Sequence, residues 1–197
     1  MHTFSALLDA LNTASIERQP AIEQLIRETF QRRKAVLALD MSGFTLHVRR
    51  DGILSYLCQI RRMQKLTLPI VLSHKGQVVK YDADNMLAVF DDAGDAVKAA
   101  LEMIRVTEYP PAANAPAIAF SIGIDFGELL LLDNVDCFGD PVNLAYKLGE
   151  DIARASEVLI TTKVREQLSE PSKFTLMEMP VSVSGVELMA YGVTAAA

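Results

Sequence analysis

The stretch VVKYDADNMLAVF, residues 78–90, decides how this chain reads. Two apolar runs, VV and MLAVF, flank a polar cluster that holds Lys80, Asp82 and Asp84. Asp and Asn tolerate the backbone angles of a tight reversal and hydrogen-bond their own main chain, so the stretch reads first as a β-hairpin. Asp82 is assigned to its turn. Carboxylates at strand ends are also what a hard cation takes, and a metal site stays open as the second reading.

The chain has 197 residues, 50% hydrophobic and 22% charged, enough for one well-filled domain and too few for two large ones. A formal net charge of -6 argues against a surface built to grip nucleic acid, and leaves room for a local basic pocket and a nucleotide substrate. Two cysteines, Cys58 and Cys137, and an N-terminus without a basic region leading into a long apolar core, imply a reducing, cytoplasmic setting. No run of about 18 apolar residues occurs, so no membrane span is expected. His2, His47 and His74 are scattered without the spacing of a zinc site.

Outward from the hairpin, residues 4–30 read as an amphipathic helical lead-in. Phe4, Leu7, Leu8 and Leu11 form one stripe, and Pro20 opens a second run. Such a stripe serves equally to pack on its own domain or to pair with a partner subunit. AVLALD, 35–40, is a buried strand with Asp40 at its mouth, and residues 48–73 carry a helical rhythm closed by Gly76. A helix with an acidic first turn follows at DDAGDAVKAALEMIRVTEY. AIAFSIGID and ELLLLD read as two strands joined at Phe126 and Gly127. DCFGDPVNLAYKLGEDIARA begins as a loop and continues as a helix, and EVLITT, FTLMEMP and VELMAYGV are the last strands. The order is that of an α+β layer fold.

Three polar islands stand at strand ends or on loops: Asp40 with SGFT behind it, Lys80 to Asp84, and Asp136 to Lys147. Asp40 and Asp84 are the candidate metal pair, since neighbouring strands about 4.8 Å apart let two carboxylates converge. The segment Ser42, Gly43, Phe44 and Thr45 offers backbone N–H groups to an anion at a helix start.

DMSGFT, then GQVVKYDADNMLAVF, then IGIDFGELLLLDNVDCFGDPVNLAYKL fall in an order and spacing that resemble the class III nucleotidyl cyclase catalytic domain, over roughly residues 34–193. The resemblance implies a ferredoxin-like βαββαβ core with extensions, preceded by an N-terminal helical segment (1–33, with the catalytic domain at 34–197). It also implies a head-to-tail homodimer with active sites at the interface. Asp40, the Met41 carbonyl and Asp84 match the family's ligands for two Mg²⁺ or Mn²⁺ ions. Lys80 and Asp136 match its adenine-reading pair, Asn143 its ribose-positioning asparagine, and Lys147 takes the place of the usual arginine on the transferring phosphate. The implied activity is conversion of ATP to cyclic AMP and pyrophosphate. Guanylate or pyrimidine nucleotide cyclisation, and a catalytically silent nucleotide-binding signalling domain, are the alternatives.

Two departures accompany the match. Lys147 keeps a positive charge and loses the planar fork of arginine, which predicts weaker transition-state stabilisation. Ala83 stands where the family usually has Gly before the second metal aspartate, which restricts the turn if that position needs a positive φ.

Overall fold

The computed structural model describes residues 3–42, 52–108, 118–132, 135–183 and 185–196. Helices α1 (Phe4–Thr13) and α2 (Gln19–Phe30) open the chain, with Thr3 capping the first and Pro20 in the first turn of the second. Strand β1 (Gln31–Met41) follows, then α3 (Ile53–Ser73), the hairpin β2 (Gln77–Asp82) and β3 (Asn85–Phe90), α4 (Ala93–Glu108) and β4 (Phe120–Leu132). These form two split β-α-β units. The sheet order β2-β3-β1-β4, antiparallel throughout, is the ferredoxin-like core that the resemblance implies.

Beyond it come β5 (Asp136–Phe138), α5 (Asp140–Tyr146), a π-helical turn (Lys147–Ile152), β6 (Glu157–Thr161), α6 (Thr162–Gln167), β7 (Phe174–Val183) and β8 (Val186–Ala195). Strand β6 lies parallel beside β4, and β8 and β7 extend the sheet.

AVLAL in β1 is apolar at every position because both of its faces are covered. Ala35, Leu37 and Leu39 meet α3 and α4 through Tyr56, Met63, Val97 and Met103. Val36 and Ala38 meet Val142 and Ala145 of α5 on the other face. The approach of α5 depends on two glycines. A Cβ at Gly123 of β4 would lie 2.2 Å from the Ala145 carbonyl oxygen, and one at Gly149 would lie 2.9 Å from that of Ala38. Only with both bare does the helical segment settle onto the strands.

Three expectations need correction. Residues 120–132 form one strand rather than two, because β4 pairs with β1 from Gln31↔Leu130 to Met41↔Phe120 without a break at Phe126 and Gly127. Gly127 does not interrupt the strand. A Cβ there would meet the Pro141 Cγ at 3.4 Å, an ordinary contact. DCF is a short strand paired to β4, not a loop. Asp82 ends β2, and the turn falls on Ala83 and Asp84. The expected helix at 48–73 is described from Ile53 onward; residues 43–51 lie outside the described residues.

The N-terminal helices lie against their own sheet. Phe4 stacks on Phe138 of β5 at 6.0 Å and meets Phe30 edge-on at 5.1 Å, while Leu7 and Ile26 are buried.

Candidate active site

The hairpin and β1 are neighbours, and the ladder sets Asp40 opposite Asn85. The Met41 N–H donates to the Asp84 carbonyl at 3.2 Å, so Asp40, Met41 and Asp84 meet at one end of the sheet. Ala83, just before Asp84, holds a left-handed φ of 48°. The strain anticipated at that position is present.

Two carboxylates in partial burial repel each other. The Asp40 carboxyl is pushed up from 3.8 to about 6 by burial first, then by the charges of Asp84 and Glu150, against a lowering hydrogen bond from the Met41 backbone. Tyr56 of α3 is buried near Asp84, and burial first, then the Asp84 carboxylate, push its phenol up. Sequence reasoning missed Tyr56. Its only signal was a side chain with a polar tip on the apolar stripe of α3 that continues through Met63.

The residues present fit a hard cation. Asp40 and Asp84 offer carboxylate oxygens at one end of the sheet, their repulsion is what a cation would relieve, and the Oδ1 of Asn85, paired with Asp40 in the ladder, is buried with no hydrogen-bond partner among the described residues. Among the described residues no three His, Cys, Asp or Glu side chains gather closely enough to hold an ion by themselves. Mg²⁺ is commonly held by one or two carboxylates, with water and substrate phosphate completing its shell.

Lys80 and Asp136 form the second group. Their side chains pair at 2.9 Å, each about 30% exposed (31% and 28%), and the other Asp136 oxygen accepts the Cys137 N–H at 2.8 Å. A bulge in β2 makes the pairing possible. The register shifts between Val78 and Lys80, so Lys80 stands opposite Leu87 instead of Met86. Leu87 belongs to the face covered by α5, and Met86 to the other. Without the extra residue Lys80 would point away from Asp136.

Asn143 and Lys147 are exposed on α5 and the π turn that continues it. Lys147 donates to Asp151 at 2.8 Å, a bond that raises the pKa of its ammonium. Ser42 donates its N–H to the Ala119 carbonyl at 3.0 Å. Gly43, Phe44 and Thr45 lie outside the described residues. The expected residues therefore gather in two sets, one at the Asp40–Asp84 end and one around Lys80, Asp136 and α5.

A second feature was not foreseen. Asp125 of β4 is fully buried, accepts the Thr161 hydroxyl, and faces Lys163, whose Nζ lies 3.4 Å from it and 3.1 Å from Asp140 at the start of α5. Burial pushes the Asp125 carboxyl up, and Thr161, the Phe126 N–H and Lys163 hold it back. Lys163 thus ties the helix of Asn143 to the sheet.

No protein-family model matches the sequence. The chain is 30% identical over 145 residues to a putative adenylate cyclase 3 of Rhizobium meliloti (strain 1021), covering 72% of this chain and 24% of the relative. It is 31% identical over 141 residues to an adenylate cyclase of Streptomyces coelicolor, covering 72% of this chain and 35% of the relative. In three dimensions it matches the catalytic core of a rhodopsin-guanylyl cyclase with converted specificity, in complex with ATPαS. The TM-score is 0.74 at 22% identity, over 84% of this chain and 98% of that one. The chain belongs to the class III nucleotidyl cyclase family. It spans about a quarter to a third of the length of these curated relatives. The three motifs lie on β1, the β2–β3 hairpin and β4 of the ferredoxin-like core, the third continuing through β5 and α5, and no described helix is long and apolar enough to cross a membrane.

Proposed function

We propose that this chain is an adenylate cyclase catalytic domain that converts ATP to cyclic AMP and pyrophosphate at the interface of a homodimer. The observation that carries the reading is the Lys80–Asp136 pair, held by the β2 bulge in the same fold that brings Asp40 to Asp84. A lysine donor beside a carboxylate acceptor matches adenine, which offers a ring nitrogen acceptor and an amino donor.

In the proposed reaction the ribose 3′-oxygen attacks the α-phosphorus, its proton passes to solvent, and the bond to the β-phosphate oxygen breaks to release pyrophosphate. Asp40, the Met41 carbonyl and Asp84 would hold two Mg²⁺ or Mn²⁺ ions, which supply charge neutralisation and a lowered pKa at the attacking hydroxyl. Asn143 orients the ribose and Lys147 leaves Asp151 to meet the phosphate. In the proposed dimer Asn143 and Lys147 of one copy face Asp40 and Asp84 of the other. Leu54 and Leu57, exposed on either side of Tyr56, give that end an apolar surface for the partner.

The test is cyclic-nucleotide formation by the purified chain, with ATP, GTP, CTP and UTP supplied separately under Mg²⁺ and under Mn²⁺. Cyclic AMP that disappears in Asp40→Ala supports the reading. Cyclic GMP or a pyrimidine product keeps the chemistry and overturns the base assignment, and no product from a dimeric sample moves the reading to a silent nucleotide-binding domain.

A further inference from the structure

Asn143, Tyr146 and Lys147 sit at i, i+3 and i+4 along α5 and its continuation, so they share one face of the helix. Asn143 and Lys147 are exposed on that face, and Tyr146 is half-buried. The covered part of Tyr146 packs on the cluster that contains Val79, Leu87, Cys137 and Val142. Val79 directly precedes Lys80, and Cys137 directly follows Asp136. The ring therefore spans from the polar stripe of α5 to the strands that carry the Lys80–Asp136 pair.

The surroundings of the hydroxyl agree with this placement. Burial first, then the charges of Glu150, Cys137, Asp136 and Asp82, push the phenol up to about 12, so it stays protonated at neutral pH and serves as a donor. An aromatic residue with a packed body and a half-buried hydroxyl, between the proposed base-reading pair and the proposed ribose-facing amide, has the form of a nucleotide contact.

We propose that Tyr146 is a further nucleotide-contact residue of this site, its ring forming the wall between the Lys80–Asp136 pair and Asn143. This rests on the nucleotide-binding reading above. The ring carries the contact, because an aromatic face stacks on any purine, and the hydroxyl adds orientation.

The experiment is calorimetric titration of the dimeric protein with α,β-methylene ATP and Mn²⁺, an analogue that resists cyclisation, beside steady-state kinetics with ATP. Tyr146→Phe keeps the ring and is expected to bind within about twofold of wild type. Tyr146→Leu keeps apolar packing without the ring and is expected to bind about tenfold more weakly, with the loss in KM and little change in kcat. Tyr146→Ala is expected to match it, and the leucine variant serves if the alanine variant does not fold. Wild-type affinity in a folded, dimeric Tyr146→Leu protein overturns the role of the ring while leaving nucleotide binding in place. Absence of binding by the wild type overturns the nucleotide reading itself, and this contact with it.

Discussion

Asp40→Asn separates what the carboxylate does for binding from what it costs the fold. In the folded chain Asp40 ionises near pH 6 instead of 3.8, because burial and the neighbouring charges of Asp84 and Glu150 oppose its negative form. Between those two values the fold holds a proton that the unfolded chain has released. The stability present below about pH 3.8 is thus lost as pH rises through about 6. Full linkage would make this about 3 kcal/mol at neutral pH. Asp40 is only half-buried, and solvent screening brings the figure to about 1–2 kcal/mol. Asparagine keeps the shape and removes the charge, so in chelator at pH 7.5 the variant is expected to melt about 2–8 °C above wild type. The gap closes toward pH 4. Millimolar Mg²⁺ or Mn²⁺ should raise the wild-type melting temperature and leave the variant unmoved, and cyclase activity should vanish in the variant. Thermal melts at several pH values, with and without cation, check each part. A variant that melts at or below wild type in chelator at pH 7.5, or that gains as much from the cation, would refute the reasoning.

Ala83→Gly relieves the left-handed φ of 48° and is expected to stabilise by about 0.5–1 kcal/mol after the extra backbone entropy of glycine, read as a rise in melting temperature of about 1–4 °C. If Lys147 meets the phosphate as proposed, Lys147→Arg restores the planar fork there and is expected to raise kcat several-fold with little change in KM, measured with ATP and Mn²⁺. Lys163→Met leaves the buried Asp125 charge to Thr161 and the Phe126 N–H alone. Because Lys163 is itself half exposed, the expected loss is about 1–2 kcal/mol, low for breaking a buried pair. Since Asp125 has its pKa raised, the loss should be smaller at pH 5 than at pH 8 in denaturant titrations.

Strand β1 and the hairpin were legible because their patterns admit one interpretation: AVLAL is apolar on both faces, and DADN offers the only polar break between two apolar runs. The β2 bulge was not legible. VVKYD buries a valine in either register, Val78 toward α3 and α4 or Val79 toward α5, so an alternating pattern cannot say that both are used and that Lys80 is turned as a result. Tyr56 was hidden for a different reason. Its partner Asp84 lies 28 residues on, and a tyrosine on a buried helical stripe has the same local pattern as a core residue. Gly127 was read as a join between two strands because glycine usually weakens a strand; here the ladder with β1 runs through it unbroken, a pairing that only the tertiary structure creates.

The two sets of candidate side chains share the hairpin. The bulge at Val79 turns Lys80 to the face of α5, and four residues later the left-handed Ala83 swings Asp84 to the end of β1, where Met41 holds its carbonyl. An ideal hairpin, alternating strictly and closed by a relaxed turn, would place neither residue where it stands. The irregularities at Val79 and Ala83 are therefore the features that aim one strand pair at two separate tasks. Each task is completed from elsewhere in the chain: Asp136 arrives from β5 to meet Lys80, and Asp40 and Tyr56 close around Asp84. In the proposed homodimer a substrate lying between two copies would meet the Lys80 set of one and the Asp40 set of the other.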